Sequence, residues 1–350
     1  MLNYKTMKIR SIKQFGELFL IIFAFLFQNS ANAQDIVQPI PYPEMSAKEK
    51  AMLKYEDMLD YRVNIDSIIK FENVEYNTLP GIYPEEMMFD IYLKSSTFQN
   101  KNQKAPVLFF IHGGTWKNGD KAFPLKQIRQ ILDSGFIFIS TNYRLSPNPV
   151  NLKDTNRIKF PIHLKDCARA FAHVYQILPF INGDTNRISV MGHSAGGNLA
   201  ISLATMEEFL GKYNIPLTKI KAAINLDGIG LNLYKLINSI HGSYKKEFMN
   251  AFGETGESWV KASPALNFKK DPSIANILLI TQDSDFRSQF SFEFYDKLTE
   301  AGIKAAIFIG FDFTHNEMIT NFCNNETEST TLYTKYIFNF IQEAFKEKNN

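Results

Sequence analysis

Ser194 lies in Gly192-His193-Ser194-Ala195-Gly196, a G-x-S-x-G arrangement. The surrounding stretch, Arg187 to Leu203, reads as a short apolar strand carrying Ile188 and Val190, a tight turn, and a helix that starts on small residues. A serine at the tip of such a turn is held in strained backbone geometry. The two glycines give room for the turn and for close helix-to-strand packing, so the hydroxyl stands clear of the sheet. The following helix points its free N–H groups at the serine, which favours developing negative charge.

A serine hydroxyl is a poor nucleophile until a base removes its proton and a third group orients that base. In a strand–turn–helix serine site the partners follow in the chain order acid, then histidine. The histidines are His112, His163, His173, His193, His241 and His315, and only the last two follow Ser194. His241 precedes the best acid, so order selects His315, in the loop Phe311-Asp-Phe-Thr-His-Asn316. The acid is expected on a loop after a strand. Asp285, in Thr281-Gln-Asp-Ser-Asp285, is the choice for orienting His315. Asp283 is its near rival, and Asp227, after the preceding strand, is a third candidate. Asp312 shares the histidine's loop and is too close in sequence to be a comfortable partner. A tetrahedral intermediate also needs donors for its oxyanion. The run Val107–Ile111 leads into His112-Gly113-Gly114-Thr115-Trp116, where glycines let backbone N–H groups turn towards the serine. The hole is assigned to the N–H groups of Gly114, Thr115 and Ala195. His112 reads as a structural hydrogen-bonder of that loop, and Trp116 as a pocket wall or core residue.

Positioning these groups requires a sheet. Val107–Ile111, Gly135–Ser140, Ile188–Met191, Ile220–Leu226, Ile277–Ile280 and Lys304–Ile309 read as strands. Helices are expected at about Leu125–Leu132, Phe160–Leu178, Ser288–Ala301 and Thr331–Phe345. Strands alternating with helices imply an α/β fold with right-handed crossovers, a mostly parallel sheet and helices on both faces. Ligands bind such sheets at the carboxyl ends of the strands, where every candidate above falls. Val74–Tyr76 and Met87–Leu93 look like an N-terminal hairpin. The expected division is a leader at 1–33, an arm at 34–72 containing a helix from Ser46 to about Leu59, and a main domain at 73–350. That domain carries an irregular insertion at 229–269. Specificity is expected in the arm and the insertion, where Tyr234, His241, Tyr244 and Trp259 are available to line a pocket.

The chain has 350 residues, 45% apolar and 14% aromatic, enough for a substantial core. A basic start (Lys5, Lys8, Arg10, Lys13), an apolar run at Leu18–Phe27 and Ala31-Asn32-Ala33 read as a secretory signal peptide cut before Gln34. The expected location is therefore outside the cytoplasm, periplasmic or secreted, with no stable membrane insertion after cleavage. The formal charge of +2 for the full sequence becomes −1 without that leader. This near-neutral balance argues against a nucleic-acid partner. Cys167 and Cys323 are expected as two isolated buried thiols rather than a disulfide. No Cys or His cluster indicates a metal, and no cofactor is implied.

Five blocks together carry a resemblance: IHGGTWKNGDK (Ile111–Lys121), TNYRLSP (Thr141–Pro147), FPIHLKDCARA (Phe160–Ala170), DTNRISVMGHSAGG (Asp184–Gly197) and LLITQDSDF (Leu278–Phe286). Over roughly residues 85–345 the chain resembles the α/β-hydrolase superfamily. It is most similar to the hormone-sensitive-lipase-like and feruloyl/acetyl-esterase-like (BD-FAE-type) branch, which also holds kynurenine formamidases. The resemblance implies a carboxylesterase-type triad on Ser194, Asp285 and His315, with the family's acid position aligning with Asp285 rather than Asp283. Two features depart from the pattern. The histidine follows threonine rather than glycine, and Thr115 stands where a lipase-like H-G-G-G has its third glycine.

The expected function is an exported serine esterase acting through an acyl-enzyme on a small-molecule or glycan ester, with acetyl or feruloyl groups on polysaccharide as the analogy. Two alternatives use the same residues differently: an amide, formamide or peptide hydrolase on the same triad, and a non-catalytic hydrolase-like binding protein.

Overall fold

The structure, a computed structural model, describes residues 47–76, 84–100, 102–310 and 312–347. The chain divides between Met45 and Ser46, and every described residue belongs to the unit Ser46–Asn350. The expected leader and the first part of the arm lie outside the described residues.

The described strands are β1 (Arg62–Ile65), β2 (Ile68–Glu75), β3 (Met88–Lys94), β4 (Ala105–Ile111), β5 (Ile137–Thr141), β6 (Gly183–His193), β7 (Ile220–Leu226), β8 (Asn276–Gln282) and β9 (Ala305–Gly310). They form one sheet in the order β1-β2-β3-β5-β4-β6-β7-β8-β9. The first pairings, through β3 with β5, are antiparallel; all pairings from β5 across to β9 are parallel. A parallel sheet buried on both faces explains why β4 reads as an unbroken apolar run. Val107, Phe109 and Ile111 enter one core cluster, with Leu164 and Phe171 of the helix Ile162–Ile177 and Leu199 of the helix Ala195–Thr205. Leu108 and Phe110 enter the other, with Ile128 and Ile131 of the helix Leu125–Asp133 and Tyr333, Ile337 and Ile341 of the helix Glu328–Glu347.

Two expectations need correction, the limit of the arm and the nature of the insertion. The hairpin of β2 and β3 is present, but the boundary drawn between residues 72 and 73 falls inside β2. The sheet therefore begins within the supposed arm. The arm's helix, Ala47–Leu59, packs down as well: Met58 is fully buried and Tyr55 stacks on Phe180 at 5.2 Å. The insertion at 229–269 is helical rather than irregular, with helices at Leu233–Ser239, Gly242–Phe252, Gly256–Lys261 and Pro264–Asn267. Asn232 and Thr255 cap two of them by accepting the Lys235 and Ser258 N–H groups. These are ordinary N-cap residues whose signal is masked by the shortness of each helix. Cys167 and Cys323 are free and buried, on opposite sides of the sheet. No helix among the described residues is long and apolar enough to cross a membrane.

The turn after β6 leaves no room for side chains. A Cβ on Gly196 would lie 2.0 Å from the Ile111 carbonyl oxygen, and one on Gly192 would lie 2.1 Å from the Gly196 carbonyl oxygen. Backbone atoms there cannot step aside cheaply. Gly196→Ala is expected to lower the unfolding free energy by about 3 kcal/mol or more. Gly211→Ala, where a Cβ meets nothing within 4 Å, is expected to stay within about 0.5 kcal/mol of the parent. Denaturant midpoints of the two variants check both.

Candidate active site

Ser194 occupies the junction of β6 and the helix Ala195–Thr205 with φ 56° and ψ −118°. That backbone aims its side chain out of the sheet, and the residue is part-exposed. His315 reaches it from the loop that follows β9. Its Nε2 lies 2.9 Å from Ser194 Oγ. Its Nδ1 lies 2.6 Å from Asp227 Oδ2. An ionised carboxylate can only accept, so Nδ1 carries the proton and Nε2 presents its lone pair to the hydroxyl. Hydroxyl, imidazole and carboxylate stand in line, a geometry in which a base can activate a hydroxyl and a carboxylate can orient the base.

The carboxylate that meets His315 is therefore that of Asp227, not of the expected Asp285. β7 lies directly beside β6, and Asp227 follows it immediately, with φ 53° and a fully buried carboxylate. Asp285 opens the helix Asp285–Glu300 and is exposed, as is Asp283. An acid in a helix's first turn is stabilised by the free N–H groups there, which accounts for Asp285 without a catalytic part.

Asp227 is held on every side. Its Oδ1 accepts from Gln282 N at 3.1 Å. Arg287 Nε is 2.8 Å from Oδ2, and Arg287 Nη2 donates to the Asp227 carbonyl at 2.6 Å. With its amide oriented to satisfy both ends, Gln282 also donates to Oδ2 at 3.2 Å and accepts the His315 N–H at 2.9 Å. Burial opposes ionisation of Asp227, but the His315 hydrogen bond, the Arg287 charge and the Gln282 N–H outweigh it and hold the carboxyl below its ordinary range. His193 packs against the base with ring centres 4.6 Å apart, and its Nε2 donates to the His315 carbonyl at 2.8 Å. Burial, then the neighbouring His315, pushes the His193 ring down to about 4, so it is neutral at ordinary pH. Arg287, Gln282 and His193 were not singled out in the sequence. Only His193, inside the G-x-S-x-G pattern, had a positional signal.

The loop after β4 faces the serine. Gly114, Thr115 and Trp116 all have positive φ, at 113°, 53° and 57°. A Cβ on Gly113 would lie 2.8 Å from the His193 carbonyl oxygen and 3.1 Å from Ser194 Cβ, so only glycine permits this approach. The N–H groups of Gly114, Thr115 and Ala195 donate to no protein acceptor among the described residues. All three residues line one cleft of ≈ 930 Å³ together with Ser194 and His315. His112 is a buried loop residue, its Nδ1 2.7 Å from the Gly113 carbonyl and its ring stacked on Tyr143 at 4.5 Å. Trp116 is both wall and core, set edge-on to Phe252 at 4.6 Å. Of the four aromatic candidates in the insertion, only Tyr244 lines the cleft. Trp259 is buried and bonds the Gly253 carbonyl, and Tyr234 and His241 are exposed elsewhere. Among the described residues no group of three or more His, Cys, Asp or Glu is placed to hold a metal ion.

Residues 89–298 match the BD-FAE family profile. The isoprenylcysteine alpha-carbonyl methylesterase ICME of Arabidopsis thaliana is 30% identical over 244 residues, covering 65% of this chain and 53% of the relative. The probable carboxylic ester hydrolase LipM of Mycobacterium tuberculosis is 28% identical over 224 residues, covering 61% of this chain and 49% of that protein. The chain thus spans about half the length of the curated relatives it matches. Among solved structures, esterase B of Lactobacillus rhamnosis superposes with a TM-score of 0.63 at 14% identity, over 86% of this chain and 93% of the other. A truncated carbohydrate esterase from gut microbiota superposes with a TM-score of 0.60 at 20% identity, over 82% and 98%. These likenesses establish the α/β-hydrolase fold.

Two outcomes follow from the geometry. A fluorophosphonate probe should label Ser194, with Asp227→Asn slowing the labelling by about 10⁴-fold. Asp285→Asn should leave it unchanged within about twofold, since that side chain touches neither His315 nor Ser194. The second outcome concerns pH. A carboxyl held below its ordinary value contributes stability that is complete above that value, 3.8, and is lost as pH falls through the depressed one. Unfolding free energy measured below about pH 4 should therefore fall more steeply in the parent than in Asp227→Asn.

Proposed function

We propose that this chain, which belongs to the BD-FAE family, is a serine carboxylic ester hydrolase working through Ser194, His315 and Asp227. The observation that carries the reading is the continuous line from Ser194 Oγ to His315 Nε2 at 2.9 Å and from His315 Nδ1 to Asp227 Oδ2 at 2.6 Å. Ser194 and His315 line the same cleft as Gly114, Thr115 and Ala195, whose N–H groups are the expected oxyanion donors. The esterase names of the relatives point the same way.

In this reading Ser194 Oγ attacks the ester carbonyl carbon while His315 Nε2 takes its proton. The carbonyl oxygen becomes an oxyanion, and the N–H groups of Gly114, Thr115 and Ala195 donate to it. The helix behind Ala195 adds its positive end. Asp227 stabilises the imidazolium and fixes its tautomer without itself becoming protonated. The imidazolium then gives its proton to the leaving alcohol oxygen, the C–O bond breaks, and an acyl-enzyme remains. Water repeats the sequence, with His315 as its base, and releases the acid.

The cleft's apolar side chains, Phe110, Phe123, Pro124, Ile229 and Ile319, would seat the hydrocarbon part of a small ester. The resemblance to feruloyl/acetyl-esterase-like hydrolases suggests acetyl or feruloyl esters on a glycan as substrates, and a carbohydrate esterase is among the fold neighbours. Residues 1–33 would export the protein. N-terminal sequencing of the mature protein from the medium or periplasm should then begin at Gln34; a cytoplasmic protein retaining Met1 would contradict export.

Hydrolysis of p-nitrophenyl acetate tests the chemistry. Ser194→Ala and His315→Ala should each lower kcat by about 10⁴-fold or more. Gly114→Ala should lower it by about 10²-fold or more, because a Cβ there would meet the Asn118 carbonyl at 2.1 Å and turn the loop's donors away. Parent-like turnover in Ser194→Ala would refute the proposal.

A further inference from the structure

We infer that Arg287 is a positioning residue for the reaction: it clamps Asp227 against His315, so the segment after β8 supplies the holder of an acid carried by β7. The inference rests on the hydrolytic reading above.

The clamp has two points. Nε of Arg287 meets the carboxylate at 2.8 Å, and Nη2 meets the backbone carbonyl of the same residue at 2.6 Å. One planar guanidinium thereby fixes the side chain of Asp227 relative to its own main chain. That main chain needs holding, since Asp227 has φ 53°, a conformation unfavourable for a residue with a Cβ. Two further restraints come from β8. Asp227 N–H donates to the Ile280 carbonyl at 2.8 Å, and Gln282 N–H donates to Oδ1 at 3.1 Å. Every one of these contacts originates in β8 or the first turn of the helix after it. This is the segment from which the family resemblance expects the acid itself.

Chemistry makes a guanidinium the fitting group. The Asp227 side chain is fully buried, and Arg287 is 17% exposed. A buried carboxylate without a partner would drift towards its neutral form or turn towards solvent. Arg287 supplies a permanent charge and two parallel donors from a rigid plane, which a flexible ammonium cannot reproduce. Nη2 also lies 3.0 Å from His315 Nδ1. Because Nδ1 already directs its proton to Asp227, this is the approach of a cation to the ring edge rather than a second hydrogen bond. Arg287 touches the acid and the base, but it is not placed to take or give a proton, so it acts through Asp227.

The test uses the full chain with Arg287→Ala and Arg287→Lys, turnover of p-nitrophenyl acetate and parallel melting curves. Arg287→Ala is expected to lower kcat by about 10²-fold with KM within about twofold. Millimolar guanidinium should restore at least about tenfold of that loss, and methylammonium should not, because only a planar fork spans both acceptors. The far-downfield proton resonance of the His315–Asp227 bond should vanish in Arg287→Ala and return with guanidinium. Arg287→Lys, which keeps a cation in the cluster and serves if the alanine variant does not fold, should lose kcat without regaining that resonance. Parent-like kcat in either variant, or a loss in a folded Arg287→Ala that guanidinium leaves untouched, overturns the inference. A parent protein that neither hydrolyses ester nor takes a fluorophosphonate sinks the hydrolytic reading instead. Activity in the parent together with undisturbed variants sinks only the role of Arg287.

Discussion

Ser194 is held at φ 56° and ψ −118°, and the rest of the site depends on that strained backbone. Such a conformation costs on the order of 1–3 kcal/mol in a residue with a Cβ and persists only where the surroundings fix it. Here the fixings are on both sides of the turn. The Ser194 N–H donates to the Leu226 carbonyl at 2.9 Å, tying the serine to β7, and its carbonyl accepts from Gly197 N at 3.0 Å, starting the helix. Side-chain-free contacts then let three pieces of chain converge: Gly192 under Gly196, Gly196 against the end of β4, and Gly113 against Ser194 itself. The strain serves a geometric end, since a relaxed turn would leave the hydroxyl against the sheet and away from His315. Two packed core layers, one on each face of the parallel sheet, hold these strand ends in place.

The second constraint is electrostatic. A carboxylate enclosed by protein is costly unless its lone pairs are met. Asp227 meets His315, Arg287 and the Gln282 N–H, and these outweigh its burial. β8 lies between β7 and β9, so its end closes over a carboxylate that follows β7 and faces a histidine that follows β9. His193 completes the surround as a neutral ring that bonds the His315 main chain and adds no competing charge.

Much of this was legible in the residues. The unbroken apolar runs marked the parallel strands, because a strand buried on both faces has no polar alternation to hide it. Ser194 and His315 could be named from motif and chain order, and Gly113-Gly114 from its place after β4. The carboxylate that meets His315 could not be read in the same way. Asp227, Asp283 and Asp285 all follow apolar strands, and sequence distance does not say which of them turns inward. Packing decides that: Asp227 is buried against His315 and Arg287, whereas Asp283 and Asp285 are exposed. The helical insertion was missed because its helices are short, and short helices rely on tertiary packing such as Phe248 and Phe252 against Trp116 more than on their own periodicity. The limit of the arm was missed because β2 carries charged residues between its buried ones, which blurs the start of the sheet.

The most direct measurement is a crystal structure of the protein after reaction with an alkyl phosphonate. The account predicts a phosphorus–oxygen bond to residue 194 and one phosphonyl oxygen within hydrogen-bonding distance of the amide groups of residues 114, 115 and 195, with the imidazole of residue 315 still joined to the carboxylate of residue 227. Adduct formation on another side chain, a phosphonyl oxygen turned away from those amides, or an imidazole swung to residue 285 would contradict it.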